Sequence, residues 1–267
     1  MEAMNYPQLN NNLYLHFNGF SKIQNLDNFI NLRVLYLENN CLTKIEGLTK
    51  LTHLTCLYLQ NNYIDEIIGL ETNTELVILN LSGNKIKKIE NLEKNTKLEN
   101  LYLDKNLLSS YASIYNIIDM PSLTLLDLQH NNFVDSGEDL VKLFEQCKRL
   151  KVLYFKGNEV IRSIANYRRK LIVQLKNLTY LDDRPVREED RIGATAYFQG
   201  GYKAEREARD KYREENDRVN KIRKKEKEMF KENFEERRKK ALEALTEEYN
   251  KRKVELEDKK KGIIKRI

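Results

Sequence analysis

The chain has 267 residues, 40% of them hydrophobic, with three cysteines and a formal net charge of +6, which is enough apolar content for a core in one or two domains. No run approaches the roughly 18 consecutive apolar residues of a membrane span. Cys41, Cys56 and Cys147 lack the spacing of a zinc site or disulfide framework, and "MEAMNYPQLN" lacks an apolar leader; a soluble protein of a reducing, intracellular compartment is therefore expected.

After a lead-in at residues 1–12, a repeat runs through residues 13–165. "LRVLYLENNCL", "LTCLYLQNNYI", "LVILNLSGNKI" and "LENLYLDKNLL" begin at Leu32, Leu54, Leu76 and Leu98, a constant spacing of 22. "LTLLDLQHNNF" from Leu123 and "LKVLYFKGNEV" from Leu150 follow at 25 and 27, and "LYLHFNGF" from Leu13 is a partial copy, making seven units. Each matches L-x-x-L-x-L-x-x-N, the leucine-rich-repeat pattern.

Asparagine recurs in phase as Asn18, Asn40, Asn62, Asn84, Asn106, Asn131 and Asn158. A chain that turns sharply after a short strand leaves buried backbone groups without ladder partners, and an amide that both donates and accepts can satisfy them from turn to turn. In the return half, Ile23, Ile45, Ile67 and Ile89 precede Leu26, Leu48, Leu70 and Leu92 by three, the spacing of one face of a helical or 3₁₀ turn. The longer linkers "ASIYNIIDMPS" and "EDLVKLFEQCKR" predict fuller α-helices, the second with Leu140, Leu143, Phe144 and Cys147 on one stripe. The predicted fold is α/β: a right-handed solenoid with a parallel concave sheet, whose ends need covers.

The residue between the second and third pattern leucines faces the concavity. That column reads Tyr14, Tyr36, Tyr58, Asn80, Tyr102, Asp127 and Tyr154. Two residues earlier lie Val34, Cys56, Ile78, Leu125 and Val152; two later lie His16, Glu38, Gln60, Ser82, Asp104, Gln129 and Lys156. Tyrosine also favours half-buried strand positions for packing alone, but apolar, aromatic and polar stripes side by side suit a protein-docking surface.

Chemistry finds little support. The Gly200–Gly201 pair lacks the Lys-Ser/Thr of a phosphate loop, and His16, His53 and His130 fall in different repeats with no triad spacing. Asp104 and Asp127 sit on neighbouring rungs, yet an open, solvated placement would disfavour a shared proton or a bound cation. No enzyme, cofactor or metal is expected.

The segment 166–202, "NYRRKLIVQLKNLTYLDDRPVREEDR" onward, follows the last repeat and predicts a cap. Leu171, Ile172 and Leu175 fit a short amphipathic helix beside Tyr167, and Leu178 and Leu181 keep strand-like repeat spacing. Asp182 and Asp183 read as turn and helix-start residues before Pro185, with Arg184 placed to pair with one of them. Residues 203–267 carry 24 Lys+Arg against 17 Asp+Glu, a net +7, leaving the body near neutral. This tail predicts a long exposed helix with acids three or four residues before bases. Tyr212, Val219 and Ile222 fit one seam and Leu242, Leu245, Tyr249 and Leu256 another, with Glu226 and Arg252 interrupting; a single solvated helix and a coiled coil both remain open. An acidic partner such as a tubulin surface would meet this tail first.

Across residues 13 to about 210 the sequence resembles the leucine-rich-repeat dynein axonemal assembly factor family. The similarity rests on "LYLHFNGFSKIQNL", on "GNEVIRSIANYRRKLIVQLKNLTYLDDRPVREEDR" and on "GGYKAEREAR". The resemblance implies a non-enzymatic scaffold that acts in the cytoplasm of ciliated or flagellated cells, preassembling dynein arms with their subunits, chaperones or other assembly factors; no membrane partner is expected, and nucleic acid is disfavoured. SDS22-like regulators of protein phosphatase 1 and the A-prime protein of the U2 spliceosomal particle share the repeat and a similar cap. Neither is expected to carry "LTYLDDRPV" running into "GGYKAEREAR".

Overall fold

The computed structural model describes residues 6–264, so residues 1–5 of the lead-in and 265–267 of the tail lie outside it. The chain divides into two compact units, one up to Arg206 and one from Glu207 onward. In the first, seven three-residue strands lie in sequence order in one parallel sheet: β1 Asn12–Tyr14, β2 Val34–Tyr36, β3 Cys56–Tyr58, β4 Ile78–Asn80, β5 Asn100–Tyr102, β6 Leu125–Asp127 and β7 Val152–Tyr154. Two further strands, β8 Tyr180–Leu181 and β9 Arg184–Pro185, close the far edge, β8 parallel to β7 and β9 antiparallel to β8.

Each strand carries its middle leucine inward. Leu35, Leu57, Leu79, Leu101, Leu126 and Leu153 are fully buried and in register from strand to strand. Ile45 with Leu48, Ile67 with Leu70 and Ile89 with Leu92 close the return side of the same core. The 22-residue units return through tight turns rather than helices, with bonds such as Leu51 N–H to Leu48 O at 2.9 Å. Because each unit buries its leucines only against its neighbours, stability comes from stacking, and truncating one of them to alanine costs about 2–5 kcal/mol.

Backbone handedness fixes the turns. The residue before each ladder asparagine is left-handed in every unit: Phe17, Asn39, Asn61, Gly83, Lys105, His130 and Gly157, with φ between 52° and 84°. A second left-handed column, Asn25, Gly47, Gly69 and Asn91, opens the return half. At Gly47 and Gly69 a Cβ would also stand 2.5 Å from the carbonyl oxygens of Ile23 and Ile45, so glycine serves both conformation and space there.

The longer units differ. The expected fuller helix in "ASIYNIIDMPS" is only one α-turn, α1 Tyr111–Ile114, followed by 3₁₀ turns over Tyr115–Asp119. A Ser110–Ser113 capping box starts it, and Pro121 disfavours helical backbone at Met120. The second linker is a true helix, α2 Gly137–Gln146, burying Leu140, Val141, Leu143 and Phe144, while Cys147 sits at its end, half-buried. Phe133, Phe144 and Phe155 pack ring to ring at 5.3 Å, filling the space that the added length opens.

The far edge is covered by α3 Tyr167–Gln174 and by Leu175, Leu178 and Leu181, all three buried. Asp182 and Asp183 make the two-residue turn of the β8–β9 hairpin, Asp182 with φ 54°. They do not start a helix: α4 Glu188–Ile264 begins five residues later, where Arg187 N–H is held by Asp190 Oδ2 at 3.2 Å. α4 breaks at Gly200 and Gly201, and Gly201 has φ 69° and ψ −159°, a conformation only glycine adopts readily. In the second unit the described side chains of the helix are mostly exposed, including Ile222, Phe230, Leu242, Leu245 and Tyr249, while Tyr212 and Val219 are half-buried.

Candidate protein-binding surface

Strand geometry alone places the concave column. The register pairs Tyr14, Tyr36, Tyr58, Asn80, Tyr102 and Asp127 in line, ending at Tyr154. Tyr14, Tyr36 and Tyr58 form a continuous stack, with centroids 4.7 and 4.8 Å apart and planes within 9° and 4°. Parallel strands lie at this spacing, so identical residues on successive rungs must lie face to face. Burial, and then the neighbouring ionisable side chains, chiefly other tyrosines and Cys56 for Tyr36 and Tyr58, Tyr180 for Tyr154 and Asp127 for Tyr102, raise the hydroxyl ionisation of these four above the ordinary value; the rings present neutral donors.

The apolar stripe is less continuous than expected. Asn12 and Asn100 share the column of Val34, Cys56, Ile78, Leu125 and Val152, so Asn100 divides it in two. The polar stripe holds Glu38, Gln60, Asp104 and Gln129 half-buried and Lys156 exposed. Glu38 is well enclosed, its side chain 17% exposed, with His16 Nδ1 4.0 Å from its Oε1. Glu38 Oε2, Gln60 Oε1 and His16 Nδ1 are buried atoms without a hydrogen-bond partner.

Asp127 departs from the open placement expected of it. It is half-buried between Tyr102 and Tyr154, and its carboxyl is pushed up to about 6, mainly by burial and further by the charges of Asp104 and Asp182; the Gln129 N–H opposes the shift. Asp104 and Asp127 are thus electrostatically coupled neighbours. Among the described residues no group of three or more His, Cys, Asp or Glu is placed to hold a metal ion.

The asparagines behind the strands bridge successive turns. Asn62 Oδ1 accepts Leu42 N–H at 3.0 Å, and its Nδ2 donates to Leu37 O and Leu59 O at 3.0 Å. Asn40, Asn84, Asn106, Asn131 and Asn158 repeat the arrangement, each buried. Asn18 does not. With no earlier turn to bridge, it is exposed and donates only to His16 O at 2.7 Å, while its backbone N–H goes to Asn40 Oδ1 at 3.1 Å. A second pair escaped the sequence reading: Asn73 and Asn95, buried on the return side, donate to Leu48 O and Leu51 O and to Leu70 O and Asn73 O. Their spacing of 22 was the available signal.

In the cap, Asp182 continues the concave column after Tyr154, and its Oδ1 accepts the Phe155 and Lys156 N–H groups at 2.8 and 2.9 Å; the counterpart of Phe155 N–H in the preceding turn, Leu128 N–H, goes to the Tyr154 carbonyl. The Tyr167 hydroxyl is buried near this carboxylate without hydrogen-bond geometry, and burial, then the Asp182 charge, push its ionisation up. Asp183 pairs at 3.7 Å with both Lys156 and Arg184, all exposed. Three arginines absent from the expected set hold the cap. Arg168 donates to Leu181 O and Pro185 O, Arg191 to Ile172 O and Leu178 O, and Arg169 bonds Glu205 while lying 4.4 and 5.2 Å from the Tyr197 and Tyr202 ring centres.

This geometry is matched among known proteins. Residues 30–72 match the family model described as leucine rich repeats (2 copies). The chain is similar to dynein axonemal assembly factor 1 of Homo sapiens, at 62% identity over 77% of this chain and 28% of that protein. It is also similar to leucine-rich repeat-containing protein ODA7 of Chlamydomonas reinhardtii, at 41% identity over 39% of this chain and 23% of that one. Among solved structures, internalin C2 of Listeria monocytogenes shares the solenoid fold, with TM-score 0.53 and 20% identity over 66% of this chain and 75% of that one. The chain thus spans about a third or less of the length of these relatives. With 62% identity over about three quarters of its length, the chain belongs to the dynein axonemal assembly factor family of leucine-rich-repeat proteins.

Proposed function

We propose that this chain is a non-enzymatic scaffold for cytoplasmic preassembly of axonemal dynein arms, holding a client or co-assembly factor on its concave face. The stacked Tyr14, Tyr36 and Tyr58 rings carry this reading, since they offer large, rigid contact area with neutral polar tips. Family membership supports the process in this reading, and the concave tyrosines support the means. Dynein arm subunits, chaperones and other assembly factors are the partners this reading implies. Loss of the gene in a flagellated cell should give immotile flagella missing dynein arms, restored by this chain's full-length product. Intact arms with altered phosphatase or splicing output would point instead to the phosphatase-regulator or spliceosomal relatives.

The tail supports a second contact. Its net +7 on a largely exposed helix suits an acidic surface such as tubulin, and the helix would serve as a cytoskeletal or ciliary tether.

A further inference from the structure

The N-terminal half of the concave face combines features that packing alone does not explain. Glu38 and Gln60 stand on adjacent rungs beside Tyr36 and Tyr58, whose ring centres are 4.8 Å apart. Glu38 Oε2 and Gln60 Oε1 lack donors, and the basic atom found near Glu38, His16 Nδ1, stays 4.0 Å from its other oxygen. A buried acceptor without a donor is costly, more so for a carboxylate. Two such acceptors on one surface, flanked by aromatic faces, describe half of a hydrogen-bonded contact.

Charge identifies the other half. Along the concave columns and their continuation into the cap, the acids Glu38, Asp104, Asp127 and Asp182 outnumber the cations Lys156 and Lys105, the latter close enough to Asp127 to act on its charge, so the surface is acidic within a chain of net +6. The terminal torsions of Glu and Gln are broad, so either oxygen turns outward at little cost. Acceptors one rung apart suit a planar fork of N–H groups, which arginine presents and lysine does not. Tyrosine faces next to the fork add cation–π attraction.

We propose that Glu38 and Gln60, with the Tyr36 and Tyr58 rings, form a receptor for an arginine side chain on a basic segment of the partner protein. The proposal rests on the concave face being the partner surface and adds the chemistry recognised there. The guanidinium donates to both side-chain oxygens, and the neighbouring segment runs along the acidic columns toward Asp127.

The probe is a fluorescein-labelled peptide of four Gly-Arg repeats, titrated into the full chain and followed by anisotropy beside Gly-Lys and neutral Gly-citrulline counterparts. Arginine should bind at least about tenfold tighter than either counterpart, and Glu38→Gln should remove about tenfold of that affinity, the loss of one charge-assisted bond. Glu38→Gln retains the side chain's shape, and an unchanged thermal melt will show that the array is intact. Equal binding of the citrulline peptide, or full affinity in Glu38→Gln, overturns the proposal. Self-association lost both in Glu38→Gln and on removing residues 211–267 would identify the occupant as the tail of a second copy, and overturns a partner protein. Partner recovery separates this proposal from the scaffold reading. Recovery lost on replacing Tyr36, Tyr58 and Tyr102 by alanine but kept in Glu38→Gln overturns the arginine contact alone; recovery kept in both overturns the concave face as well.

Discussion

Asp127 holds the rung position two repeats after Asn80, and the two side chains make the same bond. In each, Oδ1 accepts the backbone N–H two residues on, Gln129 or Ser82, at 3.0 Å. The fold therefore needs only an oxygen there, and the carboxylate of Asp127 adds a charge that the local geometry does not require.

Asp127→Asn should consequently stabilise the array at neutral pH while keeping its bond. The folded-state ionisation of Asp127 lies near 6, above its ordinary value of 3.8, so the folded chain holds the proton more tightly than the unfolded chain. Stability then falls as pH rises from about 4 to about 6 and stays at the lower level above that window. Partial solvent exposure keeps the effect small: a rise in Tm on the order of 2–4 °C for Asp127→Asn at pH 7.5, and little difference below pH 4. Melting curves at the two pH values check it, and an equal shift at both would contradict the electrostatic origin.

Asn84 and Asn18 should separate sharply, although both occupy the repeat's asparagine position. Asn84→Ala strips Ile64 N–H, Leu59 O and Leu81 O of their bonds inside the core. Urea unfolding should show a loss of about 2–4 kcal/mol. Asn18→Ala removes one exposed bond and should change stability by less than about 0.5 kcal/mol.

Arg169 and Glu205 hold the segment after the Gly201 break against the cap. Arg169 Nε and Nη2 lie 3.1 and 2.9 Å from Glu205 Oε2, and Glu205 is 8% exposed. A double-mutant cycle with Arg169→Ala and Glu205→Ala should give a coupling on the order of 1–3 kcal/mol, with the single mutants opening a protease-sensitive site near Gly200. Additive effects would contradict a joint role.

The tail's surface contact has a direct check. Co-sedimentation with microtubules at low ionic strength should disappear on removing residues 211–267 and weaken as salt is raised, since exposed charges are screened. Sedimentation unchanged by the truncation would rule out tethering through the tail.

Much of the array was legible because one physical need recurs at a fixed interval. Buried turns ask for an amide, strands ask for inward leucine, and both are written into each unit. What was missed depends on position or distance rather than on period. Asn18 carries the repeat's residue but lacks a preceding turn to satisfy. Asn100 broke the apolar stripe because nothing in the core constrains that outward position. Asp127 was read as solvated because the sequence does not show how far Tyr102 and Tyr154 enclose it. The Arg169–Glu205 pair joins residues 36 apart across the break at Gly200 and Gly201, a separation with no periodic signal.

The concave face as the working surface is tested most directly by affinity recovery from extracts of ciliating cells, with axonemal dynein subunits quantified by mass spectrometry. The full chain should enrich them, and the folded Tyr36→Ala, Tyr58→Ala, Tyr102→Ala chain should lose at least about tenfold of that recovery, as expected when central aromatic anchors are removed. Equal recovery of dynein subunits by the two chains would contradict the concave-face role.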